Sequence, residues 1–220
     1  MTVVFAHLDG LLPISSPQAN GCPAFILSQA ARLAAVEFCE RTRCWRHLAS
    51  FDAAEPVTAE IIPTEAVIWE IEEASANGQP LTPVQHTDAA LKGGSVGIPR
   101  YISQTNPWGV LVHPFPETGP VTVEMSVFLK PRSDKIVGID NENPLLDGLN
   151  VVPDWMMQQH SERLADGALS RVLMMEGQRW YNPQRAAYHR ALFDSALRRN
   201  FAANMRGQQR APIRMPTSYM

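Results

Sequence analysis

Residues 153–207 constrain the fold more than any other stretch, because they read as helix, stop, helix. Pro153-Asp154 opens a periodic run and Gly177 closes it; Asn182-Pro183 opens a second run that ends near Gly207. In the first helix, 154–176, Asp154 is placed to act as N-cap. Met157, Leu164, Ala168, Val172 and Met175 share one face, with Gln159, Arg163, Asp166 and Ser170 opposite. Gly167 in its interior costs about 1 kcal/mol relative to Ala, so close backbone packing is expected there. In the second helix, 183–206, Asn182 caps and Pro183 takes the first helical position. Phe193, Leu197 and Phe201 are four apart and form the expected buried stripe; Arg185, Arg198, Arg199 and Arg206 spread over the other half. At ~1.5 Å per residue this helix is roughly 36 Å long. A third helix is expected over 23–45, with Leu27, Ala31, Ala34, Phe38 and Trp45 on one face. The small residues Ala30, Ala31, Ala34 and Ala35 allow another helix to approach closely.

Between these helices the period changes. Pro and Gly recur, and short β-type runs appear at 57–62, 66–71, 100–103, 109–112 and 121–129. Val121, Val123, Met125, Val127 and Leu129 alternate onto one face, and Asn77-Gly78 is a strong turn signal. The pattern predicts an α+β fold. A helical bundle (23–49 and 151–207) carries an inserted antiparallel β domain of about five or six strands (50–150). Residues 1–22 read as an extended arm or a disordered terminus, 132–152 as a long returning loop, and 208–220 as an extended, proline-interrupted tail.

Charge divides the chain. Residues 1–154 hold 9 basic and 18 acidic side chains, and residues 155–220 hold 10 basic and 4 acidic. Residues 179–220 alone hold eight arginines and one acid, Asp194. Such a split points to docking, on an acidic protein surface or on nucleic acid. Catalytic constellations are missing from the pattern. Cys39, Cys44 and His47 lack a fourth zinc ligand, and two cysteines five apart on a helix diverge. With three cysteines in the chain, reduced thiols are expected. Lys92-Gly93-Gly94-Ser95-Val96-Gly97 places its lysine before the glycines, the reverse of a phosphate loop. Glu70, Glu72 and Glu73 read as a solvated acidic face rather than an acid/base pair. The histidines are scattered, with no nucleophile motif beside them. No apolar run is long enough to span a membrane, and no basic leader precedes the first apolar residues. No enzyme, cofactor or metal is expected.

Several segments taken in order resemble the head-to-tail adaptor (connector) proteins of tailed bacteriophages. They are Gly21-Cys22-Pro23 with the helix segment 34–42, then Ile98-Pro99-Arg100-Tyr101 and the strand 123–131. After these come the segment 167–173, Arg179-Trp180-Tyr181-Asn182-Pro183, Tyr188 and Phe193. The resemblance implies a structural virion protein of the phage neck. It would form a ring, commonly of twelve copies, under the portal, join the tail or nozzle proteins and extend the DNA channel. It also implies a portal-binding role for the basic C-terminus, here Arg198, Arg199, Arg206, Arg210 and Arg214. Two alternatives stay open: a nucleic-acid-binding protein using the arginine-rich C-terminus, and another neck component such as a head-completion or tail-terminator protein.

Overall fold

The computed structural model describes residues 3–53, 59–86, 96–117, 119–132 and 150–208, with the side chains of 59, 60 and 205–208 left aside. All of the expected tail over 208–220 except Gln208, which ends the last helix, and nearly all of the expected loop over 132–152 lie outside those residues.

The expectation of an extended N-terminal arm is corrected. Strand β1 (Phe5–His7) leads into a 3-10 turn (Leu8–Leu11), a single helical turn α1 (Leu12–Ser15) and a second 3-10 turn (Ser16–Gln18). Pro13 and Pro17 stand at the starts of short turns, where no N–H is needed, so they initiate structure here rather than break it. Leu8, Leu11 and Ala19 are buried, which is what holds the segment down. β1 pairs antiparallel with β10 (Val151–Pro153), clamping the chain start to the entry of the C-terminal hairpin. Asp9 adds polar ties, accepting from Ser28 Oγ and, at 3.1 Å, from Asn150 Nδ2.

Three long helices follow the expected pattern, with shifted ends. Helix α2 (Ala24–Thr42) stops at Arg43, whose φ of 52° is left-handed, so Cys44 and Trp45 lie beyond it. Trp45 is nevertheless buried, edge-on to Phe5 at 6.0 Å between ring centroids. Helix α3 (Asp154–Val172) has Pro153 as its N-cap; Asp154 sits in the first turn and accepts from Gln158 Nε2 at 2.5 Å. Helix α4 (Pro183–Gln208) is capped as expected, Asn182 Oδ1 accepting from the Arg185 N–H at 3.1 Å. α3 packs against both α2 and α4 and is buried on every side from Leu164 to Ser170. Asp166 and Ser170, expected on an open face, are therefore interior. Gly167 is where the helices come closest: a Cβ there would lie 2.8 Å from the Ala34 Cβ and 2.8 Å from the Phe193 ring. Phe193 and Leu197 are buried, but Phe201 is 39% exposed. α4 has 26 residues against 19 in α3, and Phe201 lies where the antiparallel α3 runs out.

Among the described residues, the middle of the chain forms two sheets. The larger has the order β2 (Arg46–Ala53), β9 (Val121–Pro131), β4 (Ala66–Ala76), β5 (Gln79–Pro80), all antiparallel. The smaller has the order β3 (Ala59–Glu60), β8 (Gly109–His113), β7 (Tyr101–Asn106), β6 (Thr82–Pro83). β6 and β7 run parallel, an exception to the expected antiparallel pattern. β2 is also a correction, since its first residues were assigned to the bundle. Asn77 and Gly78 both take positive φ, as the hairpin turn between β4 and β5 requires. Val123, Met125, Val127 and Leu129 face inward as the alternation predicts, and join Ile102, Val110 and Val112 in a cluster continuous with the bundle core. Simple alternation fails in β4, where register shifts fall between Ile68 and Glu70 and between Ile71 and Glu73.

Candidate docking surfaces

The arginines of the C-terminal third divide into those already engaged and those left free. Glu37 on α2 is the hub of the engaged set. Arg190 binds both of its carboxylate oxygens, at 2.7 and 3.1 Å, Arg41 reaches it at 3.2 Å, and Arg171 also pairs with it. Asp194 accepts from Arg190 and Arg41 and closes the network across α2 and α4. Burial alone would raise the Glu37 carboxyl, but the Arg190 hydrogen bond, the Arg171 charge and the Arg41 hydrogen bond hold it below the usual carboxylate range. Arg190 is correspondingly raised, chiefly by its bond to Glu37 and then by Asp194. One turn away Asp166 accepts from His189 Nδ1 at 2.9 Å and from Arg163 at 3.0 Å, in the interior between α3 and α4. These groups fasten helices together and offer nothing to a partner.

Past Asp194 the helix changes. Arg198 and Arg199 are exposed, and among the described residues neither has an ion-pair or hydrogen-bond partner. The backbone of Arg206 continues α4, while Arg210 and Arg214 lie outside the described residues. The five expected portal-binding arginines are thus represented by two side chains, adjacent on the outer half of α4.

The larger sheet turns a polar face outward. At its helix-proximal end, Arg43 and Arg46 flank the buried Phe128 ring at 5.6 Å each and pair with Glu70 and Glu72. Lys130 lies 4.4 Å over the Trp69 ring and 2.7 Å from Glu40, tying this end to α2. Two of the three clustered glutamates are therefore engaged by arginines, and Ser126 Oγ donates to Glu72 at 2.7 Å. Farther along, the face hollows into a groove of about 570 Å³. Leu48, Ser126 and Glu73 form one cross-strand row and Ser50, Glu124 and Ser75 the next. The three serines are too short to fill the surface, which creates the hollow. Glu73 and Glu124 have no partner among the described residues, and Leu48 is 74% exposed. Sequence reading passed over this groove; the only signal was the Leu-x-Ser spacing of β2, which needs the register of β9 to acquire meaning.

The other sequence-flagged groups do not converge on a site. Because α2 stops at Arg43, the Cys39 and Cys44 thiols meet instead of diverging: burial and the Cys44 contact push Cys39 up, and the hydrogen bond from Cys39 draws Cys44 down. His47 faces the Ile61 carbonyl at 3.3 Å. Lys92, Gly93, Gly94 and Ser95 lie outside the described residues. Among the described residues no group of three or more His, Cys, Asp or Glu is placed to hold a metal, and no helix is long and apolar enough to cross a membrane.

No curated protein matches the sequence. The family model of the SU10 adaptor protein matches residues 16–216, nearly the whole chain from the second 3-10 turn onward. This agrees with the resemblance to phage head-to-tail adaptors carried by the ordered segments, and the chain belongs to the SU10 adaptor protein family.

Proposed function

We propose that the protein forms a ring, of twelve copies, beneath the portal in the neck of the virion. There it joins head to tail, with portal on one side and tail or nozzle proteins on the other. It acts by assembly, without catalysis, in the host cytoplasm while particles are built and afterwards in the virion. The observation that carries this reading is the family match over 16–216, with the division of the arginines as structural support. A helix that engages Arg190 internally yet leaves Arg198 and Arg199 exposed, with no partner among the described residues, is equipped for docking. Arginine suits such a contact because its planar guanidinium binds carboxylates bidentately. Arg198, Arg199, Arg206, Arg210 and Arg214 supply the portal-binding contacts in this reading. Genomic DNA passes through the ring without sequence-specific contacts, and an acidic lumen would hinder sticking through like-charge repulsion.

The test is electron microscopy of the purified protein mixed with the portal of its own phage. The expected image is a ring on the portal's tail-side end. An unoccupied portal would overturn the reading, and a ring at the distal end of the tail would place the protein among tail terminators instead.

A further inference from the structure

Within the ring reading, on which this step rests, the groove on the outer face of the larger sheet and the turn between α3 and α4 complement one another. We infer that the groove of one copy receives the α3–α4 turn of a neighbouring copy.

The turn is a compact projection. The Asn182 N–H donates to the Leu173 carbonyl at 2.9 Å and closes its base, and Gly177 takes a positive φ of 77° at its apex. It presents Met174, Met175 and Tyr181, all substantially exposed, beside the exposed Arg179 and Glu176, whose side chains have no partner among the described residues. Exposed methionines on a preformed turn are adaptable apolar surface. The groove offers the matching chemistry: an apolar wall in Leu48, the carboxylates of Glu73 and Glu124 for Arg179, and hydroxyl donors in Ser50 and Ser75 for Glu176. Neither surface has a described partner of its own.

The two surfaces cannot meet within one subunit. The turn lies near the start of α2, where Arg185 in the first turn of α4 donates to the Gln18 carbonyl at 3.1 Å. The sheet lies at the other end of α2, tied there by the Arg43–Glu70 and Glu40–Lys130 pairs. At ~1.5 Å per residue the helix between them is roughly 28 Å long. Each copy therefore offers one turn and one groove at opposite ends, a heterologous contact that propagates from copy to copy and closes if the rotation allows.

The test places cysteines at Leu48 and Met174 in a Cys22→Ser background and oxidises the full-length protein after assembly on its portal. The expected result is a ladder of disulfide-linked oligomers extending to the full ring, absent from either variant that carries only one of the two introduced cysteines. Rings on the portal without a ladder would overturn the turn-in-groove contact and leave the ring reading standing; a bare portal would overturn both. As an independent check, Glu73→Arg with Glu124→Arg should cut ring occupancy at least tenfold, and adding Arg179→Glu should recover it. Full occupancy in the reversed-groove variant would also overturn the contact.

Discussion

The seam between α2, α3 and α4 and the groove on the outer face of the larger sheet both carry charge, and they use it in opposite ways. In the seam, Glu37 and Asp194 gather Arg41, Arg171 and Arg190 around the Phe193 ring, which both Arg171 and Arg190 approach within 6 Å. In the groove, Glu73 and Glu124 have no partner among the described residues and border a hollow lined by serines. A charge that is internally matched stabilises the subunit; one left unmatched is available to something else. The difference is sharpest at the aromatic centre of the seam, so the largest effect is expected there. Phe193→Ala should cost roughly 3–5 kcal/mol in chemical denaturation, because a fully buried ring is lost and helices pinned on both sides cannot collapse into the space. A loss under about 1 kcal/mol would mean that the seam is softer than its packing implies.

Gly167 tests the same seam in the other direction. Gly167→Ala gains about 1 kcal/mol of helix propensity. The new methyl, however, meets the Ala34 Cβ and the Phe193 ring at 2.8 Å, and Ala34 is fixed by its own helix. Overpacking of this kind typically costs about 1–3 kcal/mol, so a net loss of up to about 2 kcal/mol is expected. Net stabilisation would show that α2 and α3 can separate without penalty.

Much of this was legible beforehand, and the failures have physical causes. The helices announced themselves because Pro153, Gly177, Asn182-Pro183 and the four-residue apolar spacing are local signals. Gly167 likewise predicted its own close packing. The N-terminal segment misled because Pro13 and Pro17 look alike as helix starters and as breakers until Leu8 and Leu11 find a core. β2 was missed because its outward residues are Arg, Leu, Ser and Asp and its inward ones His, Ala and Phe, a weak alternation that only pairing with β9 defines. Asp166 was assigned to the outside because a single helix wheel assumes one buried face, whereas α3 is covered from two sides. The groove depends on three strands at once, and the charge network on residues 153 apart in the chain, as between Glu37 and Arg190. No local pattern encodes either.

Acid should separate the two regions. The Glu37 carboxyl is held below its ordinary value in the folded state, so its stabilising contribution is fully present above the unfolded pKa of about 4.5 and is lost as pH falls through the lower folded value. His160 acts in the same direction at higher pH. Burial lowers its folded pKa below 6.5, so the unfolded chain takes up the proton first and stability declines as pH drops below that point. Thermal melts from pH 7 to 3 should therefore fall in two stages. Glu37→Gln should flatten the lower stage and leave the upper one in place; an unchanged lower stage would remove Glu37 from the role assigned to it.

The finest comparison lies within α4, where one helix carries the same residue type in both states. Arg190 bridges Glu37 and Asp194 but is partly exposed, so solvent screening limits its value, and Arg190→Ala should cost about 1 kcal/mol of stability. Arg198→Ala and Arg199→Ala, two turns farther along, should change stability by less than about 0.5 kcal/mol, since neither side chain has a described partner to lose. Binding to the portal should rank the variants the other way. The double variant Arg198→Ala/Arg199→Ala should weaken co-sedimentation with portal particles and reduce its dependence on salt, while Arg190→Ala should bind normally once folded. Equal binding by all of these variants would show that the free arginines are a solvated surface, and would move the portal contact to the part of the chain beyond them.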